Sequence, residues 1–112
     1  GSSCRINFLL SNDGVANQSV NSNTNMIVNG EWIAIAVTYD AGDVVFYKNG
    51  SQWGTAVSSQ TSLNYNPNEV LKIGQYNNIY FNGQMDAVRI YNRVLKAEEI
   101  QHIYDVEKYR SV

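Results

Sequence analysis

The feature that most restricts this chain is its punctuation. Asp13-Gly14, Asn29-Gly30 and Asn49-Gly50 each interrupt short apolar or alternating runs, and Asp40-Ala41-Gly42-Asp43 adds a fourth turn signal. Asx-Gly marks tight hairpins because both central residues must accept positive φ. A chain cut this often is driven to short antiparallel strands. Arg5–Leu10 and Val15–Val20 flank the first turn, and residues 21–25 form a polar loop. Met26–Val28 is a short apolar step before Asn29-Gly30. In Trp32–Tyr39, residues Ile33, Ile35, Val37 and Tyr39 share one face, and Trp32, Ala34, Ala36 and Thr38 share the other. Neither face is charged, so a central strand covered on both sides is expected. Val44–Lys48 and Gln52–Val57 follow as the next two strands of a meander.

Residues 58–69 are polar and hold the only proline, Pro67. A strand is expected at Val70–Ile73, ending at Gly74, then a polar aromatic loop at Gln75–Asn82 and a last strand at Gln84–Tyr91. Ala97–Lys108 is the one helical segment, with Ile100, Ile103 and Tyr104 on one face. Glu98 and Glu99 occupy its first turn, and Lys108 and Arg110 its end, as the helix dipole favours. The expected class is all-β, with seven or so strands spaced as in a sandwich or barrel.

Composition narrows the function. Charged residues are 16% of the chain, against roughly 25% in ordinary soluble proteins. Neutral polar side chains replace them, with 15 Asn and 10 Ser. The net charge of −2 leaves no basic footprint for nucleic acid. No apolar run approaches the roughly 20 residues of a membrane span. Eight Tyr, two Trp and three Phe argue against disorder. Cys4 is the single cysteine, so no internal disulfide forms. It follows Gly1-Ser2-Ser3, and residues 1–4 read as a tag remnant or unstructured N-terminus.

No catalytic constellation is visible. His102 is the sole histidine and lies on the helix, with no located nucleophile or acid partner. No Cys/His cluster has zinc spacing. Glu98 and Glu99 are adjacent on the helix, point apart, and are expected to be solvated. The chain is therefore read as non-catalytic, without a cofactor or an assigned metal site. The better candidates are aromatics set among amides: Trp53 after the Asn49-Gly50 turn, Tyr65 among Asn64, Asn66 and Asn68, and Tyr76 and Tyr80 flanking Asn77 and Asn78. Aromatic faces stack on sugar C–H surfaces, and amides pair with hydroxyls. The alternative is that these rings pack the sandwich rim while Asn supplies turns. Trp53, Tyr76, Asn77, Asn78 and Tyr80 are the expected ligand-binding set. Two glycosylation patterns, Asn17-Gln18-Ser19 and Asn49-Gly50-Ser51, are expected by chance in an Asn- and Ser-rich chain.

Four stretches in order carry a family resemblance. They are Gly30-Glu31-Trp32-Ile33-Ala34-Ile35-Ala36-Val37-Thr38-Tyr39-Asp40, Val45-Phe46-Tyr47-Lys48-Asn49-Gly50, Leu71-Lys72-Ile73-Gly74, and Phe81 through Leu95 with Ala97-Glu98-Glu99-Ile100 after it. Over residues 5–107 the chain resembles the laminin G-like branch of the concanavalin A-like lectin/glucanase superfamily. The resemblance implies an antiparallel jelly-roll-like β-sandwich with one short C-terminal helix across residues 5–112. It implies a carbohydrate or protein ligand, recognition or adhesion at a surface or matrix, and an extracellular or cell-surface location. Trp32, Gly74, Gly83 and Asp86 fall on its scaffold motifs. Asp86 alternates with Val88 and Ile90, so it is expected to face inward and accept backbone N–H bonds; a calcium site is the alternative for it, with Asp13, Asp40 and Asp43 on nearby turns. Two departures stand out. Lys96 replaces the usual Ser or Thr helix cap, which weakens the cap by about 1 kcal/mol. The usual N-terminal strands have no counterpart, so the chain is expected to be a homo-oligomer or a fragment of a larger protein. An open sheet edge and an uncovered apolar face favour association, and the alternative function is a structural or assembly element that binds another polypeptide.

Overall fold

A computed structural model describes residues 4–11, 18–23, 25–59, 63, 68, 70–76 and 78–108, with the side chains of Gln18 and Tyr76 excepted. The expected turn at Asn12-Asp13-Gly14, the Asn17 glycosylation pattern, Tyr65 with Asn64, Asn66 and Pro67, and Asn77 and Arg110 lie outside the described residues. The expected class is found: antiparallel strands in sheets with one short C-terminal helix.

One layer is a hairpin of β1 (Asn7–Leu10) and β2 (Gln18–Asn21), in register Phe8↔Val20 and Leu10↔Gln18. The other is the meander of β3 (Ile35–Asp40), β4 (Asp43–Lys48) and β5 (Ser51–Gln52), with β6 (Val57–Ser58) also paired to β4. Both turns of the meander have two central residues at positive φ, Ala41 and Gly42 (46° and 106°) and Asn49 and Gly50 (52° and 84°). That geometry matches the strand twist and fixes the register. Tyr47 faces Gln52, whereas Val44 faces Val57. Three steps on β4 thus oppose five on its neighbour, and the chain leaves the ladder after Trp53 and rejoins it at Val57.

The core lies between the two layers. Leu10, Val20, Met26, Val44 and Phe46 are buried, with Ile6, Phe8, Val37, Tyr39, Trp53 and Val57 packed against them. Alternation explains the set: Val44 and Phe46 stand on the face of β4 opposite the one that carries Tyr47. Tyr47 is buried on that second face, where it borders the hollow between the β4–β5 turn and the helix α1 (Ala97–Glu107). Gly50 approaches Gln101 there so closely that a Cβ would sit 3.0 Å from its side chain.

Three expectations are corrected. Among the described residues the sheet order places β3 at an edge, and β4 is the strand paired on both sides. Trp32 stands outside the strand and is 59% exposed. The ladder begins only at Ile35, so Trp32 has no sheet position to carry its ring into the core. The strands expected at Val70–Ile73 and Gln84–Tyr91 form no ladder among the described residues. Ala87 has φ 54°, which breaks the extended backbone that alternation alone suggests. Instead β7 (Gln75–Tyr76) and β8 (Ile79–Tyr80) make a small hairpin.

Candidate functional site

The bulge after β5 sits opposite the end of β2, and an open hollow of about 570 Å³ lies between them. Its walls are Arg5, Asn21, Ser22 and Asn23 on one side and Trp53 and Gly54 on the other. Local hydrogen bonds hold the first wall. Ser22 is buried; its N–H donates to the Ile6 carbonyl at 2.9 Å, and its Oγ accepts the Ile6 N–H at 2.9 Å. The same Oγ donates to the Asn23 carbonyl at 3.1 Å. This sets the position at which Asn23 leaves the strand.

The second wall depends on the bulge. The Trp53 N–H donates to the Phe46 carbonyl at 2.8 Å, which keeps Trp53 on the ladder while the chain leaves it. Gly54 then takes φ 81°, and a Cβ on it would lie 2.5 Å from Asn23 Nδ2. Only glycine lets the two walls approach this closely. The Gln52 amide donates to the Gly54 carbonyl at 3.1 Å and braces the turn. The Trp53 ring packs against the core. Lys48 Nζ sits 4.7 Å from the ring centroid, within cation–π range. Trp53 Nε1 is buried without a hydrogen-bond partner, a donor left unmet at a cost of roughly 1–3 kcal/mol.

The lining offers a guanidinium, two carboxamides and an indole. Arg5 brings five donors in a fixed plane, and each Asn brings paired donor and acceptor. No carboxylate, histidine or thiol lines it among the described residues. Such groups can pair with hydroxyls and other hydrogen-bonding partners.

Of the expected ligand set, Trp53 lines this hollow. Asn78 and Tyr80 do not; they belong to the β7–β8 hairpin, where Asn78 holds φ 64° at the turn and Tyr80 is 65% exposed, and Tyr76 is on β7 of the same hairpin. Asp86 is exposed rather than inward, because the segment that carries it has no ladder to point it into a core. Among the described residues no group of three or more His, Cys, Asp and Glu is placed to hold a metal ion. Gly74 and Gly83 serve close packing: a Cβ on Gly74 would meet the Met85 methyl at 2.7 Å, and one on Gly83 the Phe81 ring at 2.7 Å.

Sequence reasoning missed Arg5, Asn21 and Asn23. The Asn-rich stretch after β2 was legible as a loop, yet its proximity to Trp53 depends on how the two layers stack. It also missed the ion pairs that tie the last motif to the helix. Glu99 is not merely solvated: Arg93 grips it with two bonds, at 2.9 and 2.5 Å, and Lys96 N–H donates to it at 2.9 Å. A lysine side chain has no acceptor for the helix N–H groups, so Glu99 supplies the half of the capping box that exists. These partners, Arg93 first, hold its carboxyl down at about 2. Arg89 pairs with Glu107 at the other end of α1.

Comparison with known proteins agrees with this architecture. A family model described as concanavalin A-like lectin/glucanases superfamily, of laminin G type, matches residues 1–101. A crystal structure of an S-layer domain-containing protein (residues 221–444) from Clostridium thermocellum is similar at 26% identity and a TM-score of 0.56. The match covers 79% of this chain and 45% of that one, so the chain spans less than half of that structure. No curated protein matches. The residues matched include both strands of the central hairpin and the helix start, and the chain belongs to the laminin G-like branch of the concanavalin A-like lectin/glucanase superfamily.

Proposed function

We propose that the chain is a non-catalytic recognition module that binds carbohydrate at a cell surface or in an extracellular matrix. The observation that carries this reading is the Trp53 hollow, where Arg5, Asn21 and Asn23 face an indole across open space. Amide and guanidinium groups are the natural partners of sugar hydroxyls, and an aromatic supplies the apolar body. The family often binds carbohydrate or protein, and the similar S-layer protein supports a surface location.

The test is affinity electrophoresis through gels that contain a panel of soluble polysaccharides. The expected result is retardation by at least one, lost by about tenfold or more in Asn23→Ala and Arg5→Ala. Tyr80→Ala separates the hollow from the β7–β8 hairpin, because it leaves the hollow intact. Loss in Tyr80→Ala with retention in the other two moves the site to the hairpin. No retardation on any matrix overturns the carbohydrate reading.

A second reading, a module that assembles with another polypeptide, is favoured by exposed apolar side chains between Val70 and Val94 and beside β3.

A further inference from the structure

A hollow of about 490 Å³ lies between the β4–β5 turn and α1. It shares no lining residue with the Trp53 hollow. Its strand-side wall is fixed in place. The Asn49 N–H donates to the Ala34 carbonyl at 2.8 Å, and Asn49 Oδ1 accepts the Ala34 N–H at 2.9 Å. These two bonds lock the turn that sets Gly50 against Gln101. The helix-side wall is a single face of α1, where Glu98, Gln101, His102 and Asp105 recur at i, i+3, i+4 and i+7.

Two polar groups of this hollow are unmet. Tyr47 is 7% exposed, and its hydroxyl has no hydrogen-bond partner among the described residues. The hydroxyl is not sealed from solvent. Tyr47 lines the hollow, so that is where its hydroxyl opens. A tyrosine this enclosed ordinarily pairs its hydroxyl. The second group is the Glu98 carboxylate, exposed and without a partner among the described residues. Asp105 differs, because its Oδ1 accepts from Gln101 at 3.1 Å and from Lys108 at 3.3 Å. No lysine or arginine lines the hollow among the described residues. Apolar surface lies beside these groups, from the Tyr47 ring, Gly50 and Ala97.

We propose that this hollow seats a lysine side chain of a polypeptide partner. An ammonium brings three donors and no acceptor. Glu98 and the Tyr47 hydroxyl supply the acceptors, one of them charged. The four-carbon stem covers the Tyr47 ring and Ala97, as long cationic side chains do on apolar surface. The other ligand classes fit less well. An anion meets two carboxylates. A neutral sugar leaves the Glu98 charge unpaired. An amino sugar carries its ammonium on a hydroxylated ring and has no stem for the apolar wall. The inference goes beyond the carbohydrate reading, and it needs neither the Trp53 hollow nor the exposed side chains between Val70 and Val94.

The experiment is an amide NMR titration of the chain with the peptide acetyl-Gly-Gly-Lys-Gly-Gly-amide. Two probes accompany it: the same peptide with norleucine for lysine, and a fully deacetylated glucosamine tetramer. The expected result is saturable shifts confined to Gly50–Gln52 and Ala97–Asp105, with the norleucine peptide weaker by about tenfold. Tyr47→Phe keeps the ring and removes a hydroxyl that bonds to no described residue, so the fold stays intact while the dissociation constant rises about threefold or more. Glu98→Gln changes an exposed, unpaired carboxylate and should raise it about threefold as well, with the salt dependence of binding lost. Absent or dispersed shifts overturn the site, and so does wild-type affinity in either variant. Equal binding of the norleucine peptide overturns the ammonium. Tighter binding of the glucosamine tetramer than of the lysine peptide overturns the polypeptide as occupant. The carbohydrate reading at Trp53 is unaffected by any of these results, because Asn23→Ala and Arg5→Ala test it separately.

Discussion

Residues 6–59 and residues 70–94 have similar apolar content and opposite fates. In the first region alternation is converted into burial: Phe46 is 1% exposed, and Val44 and Met26 are fully covered. In the second, Val88, Ile90 and Met85 stay exposed. That segment is tied down by surface ion pairs, Arg89 to Glu107 and Arg93 to Glu99. The difference lies in pairing. The first region owns the tight turns at Ala41-Gly42 and Asn49-Gly50 that bring β3, β4 and β5 together, and two layers that face one another. The second has a small hairpin and a left-handed Ala87. An apolar pattern states which side of a strand wants cover; a second element must supply it.

The sharpest way to break this comparison is matched truncation. Phe46→Ala removes a fully buried ring from the shared core and should cost about 3–5 kcal/mol. That is a large fraction of the roughly 5–15 kcal/mol that holds a domain folded. Val88→Ala on the exposed segment should change stability by less than about 0.5 kcal/mol. Urea midpoints of the two variants measure the contrast. A large loss at Val88 would show that the second region owns a core after all.

The same contrast explains what could be read in advance. The meander was legible because Asn49-Gly50 and Ala41-Gly42 encode turn geometry locally, and each turn fixes its register. The helix was legible from Ile100, Ile103 and Tyr104. Trp53 was legible as an aromatic next to a turn, but the bulge that aims it follows from a two-residue mismatch along β4. Arg5 and Asn23 could not be paired with it, because they come from the other layer. The strand expected at Gln84–Tyr91 failed for the complementary reason: its alternation is real, and no described neighbour completes it.

A smaller effect sharpens the comparison inside the well-built region. Gly54→Ala places a side chain at φ 81° and drives its Cβ onto the Asn23 carboxamide. The backbone term alone is worth about 1–2 kcal/mol, partly relieved if the amide turns away. The urea midpoint should fall by that amount with an unchanged slope. The same substitution should weaken any ligand held in the Trp53 hollow, because the two walls must separate.

The smallest effect belongs to the loosely held region and is read through pH. Arg93 and the Lys96 N–H keep the Glu99 carboxyl at about 2, below the free glutamate value of about 4.3. The folded state thus binds a proton more weakly than the unfolded chain. By linkage, the stability this site contributes is fully present above about 4.3, declines as the pH falls, and is gone below about 2. Glu99→Gln keeps an acceptor for the Lys96 N–H and removes the charge that Arg93 grips. The melting temperature of wild type should therefore exceed that of the variant at pH 6, with the gap closing as the pH approaches 2. Both partners are partly exposed, so added salt should shrink the gap at pH 6 as well. A gap that is constant across this range would mean that Glu99 acts through packing alone, and that the 70–94 segment is held by something other than its ion pairs.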